Sequence, residues 1–553
     1  MIIEEGMNMS KSNEKLFRST LFLSSASLIT QFLGMIYIIP FYSIMGGEEN
    51  LALYGYAYTP YTIMLSIASA GVPGAVSKFV AKYNSLGAYQ TTQKLYRSSL
   101  VVMLISGLFS FGVLYFLAPV IADIQLAASS TGTHVWGHAE ITNIIRIVAF
   151  AVIVVPFMST WRGVFQGFES FGPTSVSSVV EQVVRITVVL SGSYFVIRVM
   201  GGTIQQGNQI AVFAAFIAAL GAIFTLGVFW FKRKKLIEKD IENDTTGITL
   251  SYREMYKEII LSGIPFVVIG ITFPMMMFID QLTHNNALSM IGVPSNIQDA
   301  WFGMLNITTQ KLVMIPVSLA VAFSITILPF ITKSFQQKKF DELENQVSSM
   351  VLLQLILVVP AAIGMMIMAV PLYTSFYSFN EMGIKILTFY APVCIVISLF
   401  SMTASIVQGI EKQNFNVFVV LLVLIIKAVL NIPLIMYFHT VGAVMSTIIA
   451  LSCGVIFNFY IIKKYGRFSV RKILTPLMQI LAYSLMMLLA VEIVYGLFAL
   501  SLDLTVRLNS IITLAVCVIV GASIYMIIVF KSGLADRVLG DRADKIRSRV
   551  KFL

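Results

Sequence analysis

Long apolar runs separated by short polar breaks govern this chain from end to end. A helix needs about 20 apolar residues to cross a hydrocarbon core, and on that window the pattern predicts roughly fourteen spans. They lie near 16–45, 54–82, 95–118, 139–165, 173–198, 208–231, 257–282, 300–332, 344–372, 383–408, 415–437, 440–462, 472–498 and 507–530. Connections are short apart from loops near 119–138, 232–256 and 283–299. The first run, Leu16 to Met45, is too long for the apolar region of a signal peptide and lacks a small-residue cleavage site. It reads as a retained first helix, and the fold class expected is an all-α polytopic membrane protein.

Composition narrows the class further. The 553 residues are 57% hydrophobic and only 12% charged, with a mean hydropathy of +0.85. A soluble domain carries about twice that charge, which sets water-soluble enzymes aside. Cys394, Cys453 and Cys517 all fall in apolar runs, so neither a disulfide framework nor a metal cluster is indicated. The net charge of +11 follows topology. With the N-terminus inside, Lys11, Lys15, Arg18, Lys78, Lys82, Lys94, Arg97, Lys232–Lys235, Lys333, Lys338, Lys339, Lys463, Lys464, Arg467, Arg471 and the basic end of the chain all collect on the inner side. Only Arg198, Lys385 and Arg507 lie at or near outer ends. That asymmetry assigns both ends to the cytoplasm and explains the charge without nucleic acid.

Four cations remain inside spans: Arg146, Arg185, Lys311 and Lys427. The acids at comparable depth are chiefly Glu181, Asp280 and Glu492. A cation within a spanning helix costs about 2.5–3.5 kcal/mol on insertion scales, so it faces a partner, a cavity or a substrate, or snorkels to an interface. Glu181 precedes Arg185 by one helical turn, the favoured order for a same-face pair. The run Thr309 to Phe335 holds Lys311 together with Pro316 and Pro329, which free backbone carbonyls and bend the helix.

The chain also repeats. F-Q-G-F-E at Phe165–Glu169 recurs as V-Q-G-I-E at Val407–Glu411, and the same offset carries Arg185 onto Lys427. The segment around Pro73 matches that around Pro316, and Ser98-Ser99 matches Ser348-Ser349. The first six spans and the next six thus read as two related bundles of the same sense, with two further spans at the end. Arg185 and Lys427 each lie about 18 Å into their helices, near the middle of a core about 30 Å thick. Facing bundles would then enclose a positive cavity suited to an anionic solute, unless each cation is neutralised within its own bundle.

The run Lys311 to Phe335, K-L-V-M-I-P-V-S-L-A-V-A-F-S-I-T-I-L-P-F-I-T-K-S-F, resembles the eighth helix of MurJ proteins, the lipid II flippases of the multidrug/oligosaccharidyl-lipid/polysaccharide exporter superfamily. In that family an essential cation stands five residues before the proline, a spacing that Lys311 and Pro316 match. The Q-G-x-E junctions, the S-A-G-V-P-G-A-V-S-K segment (Ser69 to Lys78) and the 6+6+2 layout are similar too. The resemblance implies two lobes, 1–232 and 257–465, joined by the inner loop 233–256, with a lipid-tail groove at 466–530 and a cytoplasmic basic tail at 531–553. It also implies a lipid-linked, pyrophosphate-bearing glycan as substrate, moved by alternating access without a catalytic residue. Arginine and lysine suit a pyrophosphate through charge-assisted hydrogen bonds. Candidate binding residues are Arg146, Arg162, Glu181, Arg185 and Lys311, and candidate bends are Pro73, Pro316 and Pro329.

Two departures qualify the likeness. The Gram-negative pattern has arginines in helices one and two, whereas here T-Q-F-L-G-M-I-Y (Thr30 to Tyr37) and I-M-L-S-I-A (Ile63 to Ala68) carry none. The pattern is closer to the Firmicutes branch, with Arg146, Arg162 and Arg185 as replacements. Some relatives hold Na⁺ between helices 7, 11 and 12, at positions that here read Lys427, Asn431 and Thr447. An ammonium there argues against sodium, since like charges repel strongly at low dielectric. Lys427 is expected to act as a built-in cation paired with Asp280, leaving membrane potential or protons as the drive and no cofactor.

Other readings are a flippase for a teichoic-acid, capsule or spore-cortex precursor, a cation-coupled drug exporter, or a membrane glycosyltransferase. The extra helices and cationic spans weigh against the exporter, and the short outer loops with scattered acids weigh against the transferase. His134 and His138 have helical spacing but no third ligand for a metal. Residues 531–553 read as an amphipathic helix lying on anionic lipid. The expected protein is a monomer of the cell membrane, with cell-wall synthases as candidate partners.

Overall fold

The computed structural model describes residues 26, 29, 30, 32–34, 36–69, 72–127, 136–168, 170–242, 244, 246, 251–539 and 547. Among these residues every regular element is helical. In order they are α1 (Ile38–Met45), α2 (Glu48–Ser69), α3 (Val72–Ser85), α4 (Tyr89–Ala127), α5 (His138–Gly167), α6 (Phe171–Thr187, continuing as π-helix through Val188–Gly192 and Phe195–Val199), α7 (Ile204–Glu242) and α8 (Tyr252–Met290). There follow α9 (Ser295–Gly303), a π segment Met304–Thr309, α10 (Gln310–Gln336), α11 (Phe340–Ile367), α12 (Ala369–Phe376), α13 (Glu381–Tyr390), α14 (Val393–Gly409), α15 (Gln413–Phe438), α16 (Thr440–Gly466), α17 (Arg471–Ser501), α18 (Arg507–Lys531) and α19 (Leu534–Leu539).

Eleven helices among the described residues are long and apolar enough to cross a membrane. They correspond in order to expected spans three to seven and nine to fourteen. The expected first span begins outside the described residues. The second is divided between α2 and α3, and α2 is rich in tyrosine and threonine, which dilutes its apolar character. The eighth is made of α9, the π segment and α10. Of the expected basic tail, α19 is described, whereas 540–546 and 548–553 lie outside the described residues, as does His134.

The chain forms two compact units, Met1–Ala127 with His134–Phe278, and Ala128–Thr133 with Ile279–Leu553. In the first, α5 is the central helix and packs on α2, α3, α4 and α7. Glycines set its close approaches. A Cβ on Gly107 would lie 2.6 Å from the Ile153 carbonyl, and one on Gly163 would lie 2.4 Å from that of Pro73. Contact between backbones of this kind is what small residues give helices in lipid, where packing rather than the hydrophobic effect drives association. Pro73 occupies the first turn of α3, where its missing N–H costs nothing. Pro316 and Pro329 lie in the interior of α10.

In the second unit, α15 and α16 form a tight hairpin, α14 packs on α10 and α16, and α17 packs on α11 and α18. The hairpin turns at His439, whose φ of 55° lies in the left-handed region. A Cβ on Gly442 would stand 2.0 Å from the Leu434 carbonyl oxygen and 2.5 Å from the Ile435 nitrogen. Backbone cannot yield as a side chain can, so Gly442→Ala is expected to destabilise the protein by about 1–3 kcal/mol. Thermal unfolding of the purified full chain, against Gly496→Ala as a control with open space around its Cβ, measures this.

Asp244, two residues past α7, is tied to the start of α4. Asp244 accepts hydrogen bonds from the Gln90 amide (2.8 Å), the Thr246 amide (2.9 Å) and the Thr246 hydroxyl (2.8 Å). The Gln90 amide first, then Thr246, hold its carboxyl below the usual carboxylate range. A depressed carboxyl contributes above its ordinary pKa and loses its effect as pH falls through the lowered value. Asp244→Ala should therefore speed amide exchange at Gln90 and Thr246 several-fold at neutral pH, and the difference from wild type should vanish in strong acid.

Candidate functional site

The residues singled out by sequence fall into separate places. Arg162 lies just before α5 ends at Gly167, and Ser177 and Glu181 lie at matching distance into α6, so the reversal at the Q-G-F-E junction brings them to one level. Arg162 Nε donates to Ser177 Oγ at 2.9 Å and its Nη2 to Glu181 Oε2 at 2.9 Å. Arg185, one turn further along α6, donates from Nη2 to the other oxygen, Glu181 Oε1, at 2.5 Å. One carboxylate thus serves two guanidinium groups, and the trio keeps a net positive charge. It is accessible in part: the Arg162, Glu181 and Arg185 side chains are 15%, 15% and 24% exposed. Arg185 Nε is buried with no hydrogen-bond partner, a donor left over for something else.

Arg146 is not part of this cluster. It precedes Arg162 by 16 residues on the same helix, about 24 Å along the axis at 1.5 Å per residue. Its guanidinium sits 5.0 Å from the centre of the Tyr115 ring. His138, the described member of the histidine pair, bonds to Asp123 at 3.1 Å.

Sequence reasoning passed over the wall of this site. Tyr54, Tyr58 and Tyr61 recur at helical spacing on α2, a signal legible in the sequence but lost among many aromatic residues. Tyr54 and Tyr58 stack with centroids 5.4 Å apart, and Tyr58 and Tyr61 lie 5.6 Å apart. Phe41 of α1 approaches Tyr54 at 5.9 Å, and Tyr37 shares a side-chain hydrogen bond with Tyr54. Tyr54, Tyr58 and Tyr61 all lie within electrostatic reach of Arg185.

In the second unit Lys427 is fully buried. Its Nζ donates to Asp280 Oδ1 at 2.6 Å, Asn431 Oδ1 at 3.0 Å, the Ala443 carbonyl at 2.8 Å, Ser446 Oγ at 2.9 Å and Thr447 Oγ1 at 2.8 Å. Three N–H groups are shared among these oxygens from α8, α15 and α16. Asn431 completes the mesh by donating to Asp280 at 2.9 Å and Thr283 at 2.6 Å. The residues present do not fit a sodium ion, because the oxygens that would surround it already surround an ammonium. Lys427 has no surface to offer a solute, so the cavity charge expected of it at the matching depth is absent. Arg185 and Lys427, which the sequence repeat would equate, each pair with an acid of their own unit, Glu181 and Asp280, although Glu181 is shared with Arg162. A second buried chain adjoins: Asp299 accepts from Asn285 (2.9 Å), Asn285 meets His284 Nδ1 (2.8 Å), and His284 Nε2 meets Thr440 Oγ1 (3.0 Å).

Lys311 is half-buried at the second position of α10, directly after the buried π segment. The Tyr377 hydroxyl donates to the Thr308 carbonyl at 3.0 Å, satisfying a group within that segment. A π turn also follows Arg185 on α6. Such turns concentrate at functional sites because they re-aim the side chains around them.

Comparison with known proteins bears on these features. Residues 16–335 match the family model described as polysaccharide biosynthesis protein. The chain is 37% identical to the lipid II flippase MurJ of Bacillus subtilis (strain 168) over 535 residues, 96% of this chain and 98% of that protein. It is 24% identical to stage V sporulation protein B of the same organism over 60% of this chain and 61% of that one. Among solved structures, the lipid II flippase MurJ in an inward closed conformation aligns with a TM-score of 0.63 at 17% identity, covering 94% of this chain and 99% of that one. An inward-facing multidrug resistance MATE family transporter of the MOP superfamily aligns at 0.60 and 14%, covering 84% and 98%. At these identities the structural matches establish the fold.

Proposed function

The chain belongs to the MurJ family of lipid II flippases within the MOP exporter superfamily, and from that premise we propose that it carries lipid II from the inner to the outer leaflet of the cell membrane. The identity of 37% over nearly the full length of both chains carries this reading. It favours lipid II over the other lipid-linked glycans considered above, since the likeness to stage V sporulation protein B is weaker and covers less.

In this reading residues 1–232 and 257–465 are the two bundles that rock about the substrate, and 466–530 hold the polyprenyl tail. Arg162 and Arg185 meet the pyrophosphate, with Glu181 holding both guanidinium groups in place. Lys311 offers a further positive charge from α10, Arg146 meets the substrate nearer the other end of α5, and Pro316 and Pro329 let α10 bend. No bond in the substrate is made or broken, so the work is transport. Lys427 supplies the positive charge that a bound cation gives some relatives, so the drive is membrane potential or protons rather than sodium. Both ends of the chain are cytoplasmic, the basic tail rests on anionic lipid, and cell-wall synthases take up the product. The protein works as a monomer.

The test is rescue of cells depleted of their lipid II flippase, with exposure of lipid II on the outer face as the readout. Wild type is expected to restore exposure and growth. A well-expressed wild type that restores neither would overturn the reading in favour of another lipid-linked glycan.

A further inference from the structure

We propose that the tyrosine face of α2 is a sugar-binding subsite, which rests on the reading above that the substrate is a lipid-linked glycan. Tyr54, Tyr58 and Tyr61 form one stripe of the helix, extended by Phe41 of α1 and by Tyr37 just before it. Plain packing between helices does not call for this choice of residue. A phenol hydroxyl carried into an apolar interior needs a hydrogen-bond partner, and leucine or phenylalanine would fill the same space without that demand. Here the stripe is tyrosine at each of these α2 positions, and Arg185 lies within electrostatic reach of it.

Its exposure and surroundings suit a glycan. Tyr54 and Tyr58 are half-buried, so part of each side chain is accessible, whereas Tyr61 is 3% exposed and anchors the stripe. Arg185 lies within electrostatic reach of all three, with Glu181 and Arg162 bonded to it in sequence. A pyranose presents one face of C–H groups and a rim of hydroxyls. Aromatic rings match the face, while guanidinium donors, a carboxylate and phenol hydroxyls match the rim. The unpartnered Arg185 Nε supplies a donor that the protein itself does not use. The cations at this site hold the pyrophosphate, and the tyrosines beside them hold the first sugar attached to it.

The experiment measures binding to the purified full chain in nanodiscs, with lipid II and with undecaprenyl pyrophosphate, which lacks the sugars. Wild type should prefer lipid II. Tyr58→Leu, which keeps bulk but removes the ring, should weaken lipid II about three- to tenfold and leave undecaprenyl pyrophosphate unchanged, the range expected of an aromatic contact. Tyr58→Phe should weaken lipid II less than Tyr58→Leu does, because the ring face remains and only the hydroxyl is lost, and should leave undecaprenyl pyrophosphate unchanged. Arg185→Ala should weaken both ligands. Equal loss of both ligands in Tyr58→Leu, loss of neither, or a wild type that does not distinguish them would each overturn the subsite while leaving the flippase reading standing. A wild type that binds neither lipid would remove that reading and the subsite with it. Thermal unfolding of each variant shows that the protein under test is folded.

Discussion

Replacing Lys427 by alanine is expected to destabilise the second unit by about 3–5 kcal/mol, the cost of leaving a buried acid without its partner. Asp280 would keep one hydrogen bond from Asn431, but its charge would face the oxygens of Asn431, Ser446 and Thr447 with no cation among them. Asp280→Ala alone should cost a similar amount, because the ammonium is then the uncompensated charge. The double variant, Lys427→Met with Asp280→Leu, should recover much of the loss, since an apolar pair of similar volume often replaces a buried ion pair at little cost. Denaturation of the double variant beside Lys427→Met alone, Asp280→Leu alone and wild type gives the coupling as a double-mutant cycle. The same variants test the drive. Transport by wild type should be indifferent to sodium, and sodium-stimulated transport that persists in Lys427→Ala would contradict the assignment of Lys427 as a built-in cation.

The second large effect is expected at Arg185. Arg185→Ala should lower lipid II exposure in the rescue assay by about tenfold to a hundredfold, the range of a charge-assisted hydrogen bond worth about 1.5–3 kcal/mol. Glu181→Gln should do less harm: the amide oxygen still accepts from one arginine, and the site gains net positive charge. Arg146 provides the contrast. Because it lies about 24 Å along α5 from Arg162, Arg146→Ala should leave pyrophosphate affinity unchanged even where it lowers transport. Loss of affinity in Arg146→Ala equal to that in Arg185→Ala would overturn the separation of the two sites.

How much of this was legible differs from residue to residue. The Glu181–Arg185 pair could be read directly, since one helical turn fixes its geometry whatever surrounds it. Lys427 and Asp280 were nameable as partners, because few acids lie at that depth in an apolar chain. Their full enclosure was not legible, as it depends on the Ala443 carbonyl and the Ser446 hydroxyl of the neighbouring helix, groups that any sequence contains in number. The grouping of Arg146 with Arg162 and Arg185 came from residue type alone. Distance along α5 separates them.

The sequence by itself determined the helical class, the order of most spans, and the family. These follow from local quantities: hydropathy over about 20 residues, charge between runs, and motif spacing along one helix. Only the tertiary structure decided where each cation ends, with Arg185 half open beside a tyrosine wall and Lys427 sealed inside a mesh of oxygens. The π turns after Arg185 and before Lys311 were likewise decided there, because their cost is met by partners such as Tyr377 that lie far away in the chain. A local window cannot see such partners. Two cations that both lie within apolar helices therefore came to different surroundings, since burial is set by what packs against a helix and not by the helix itself.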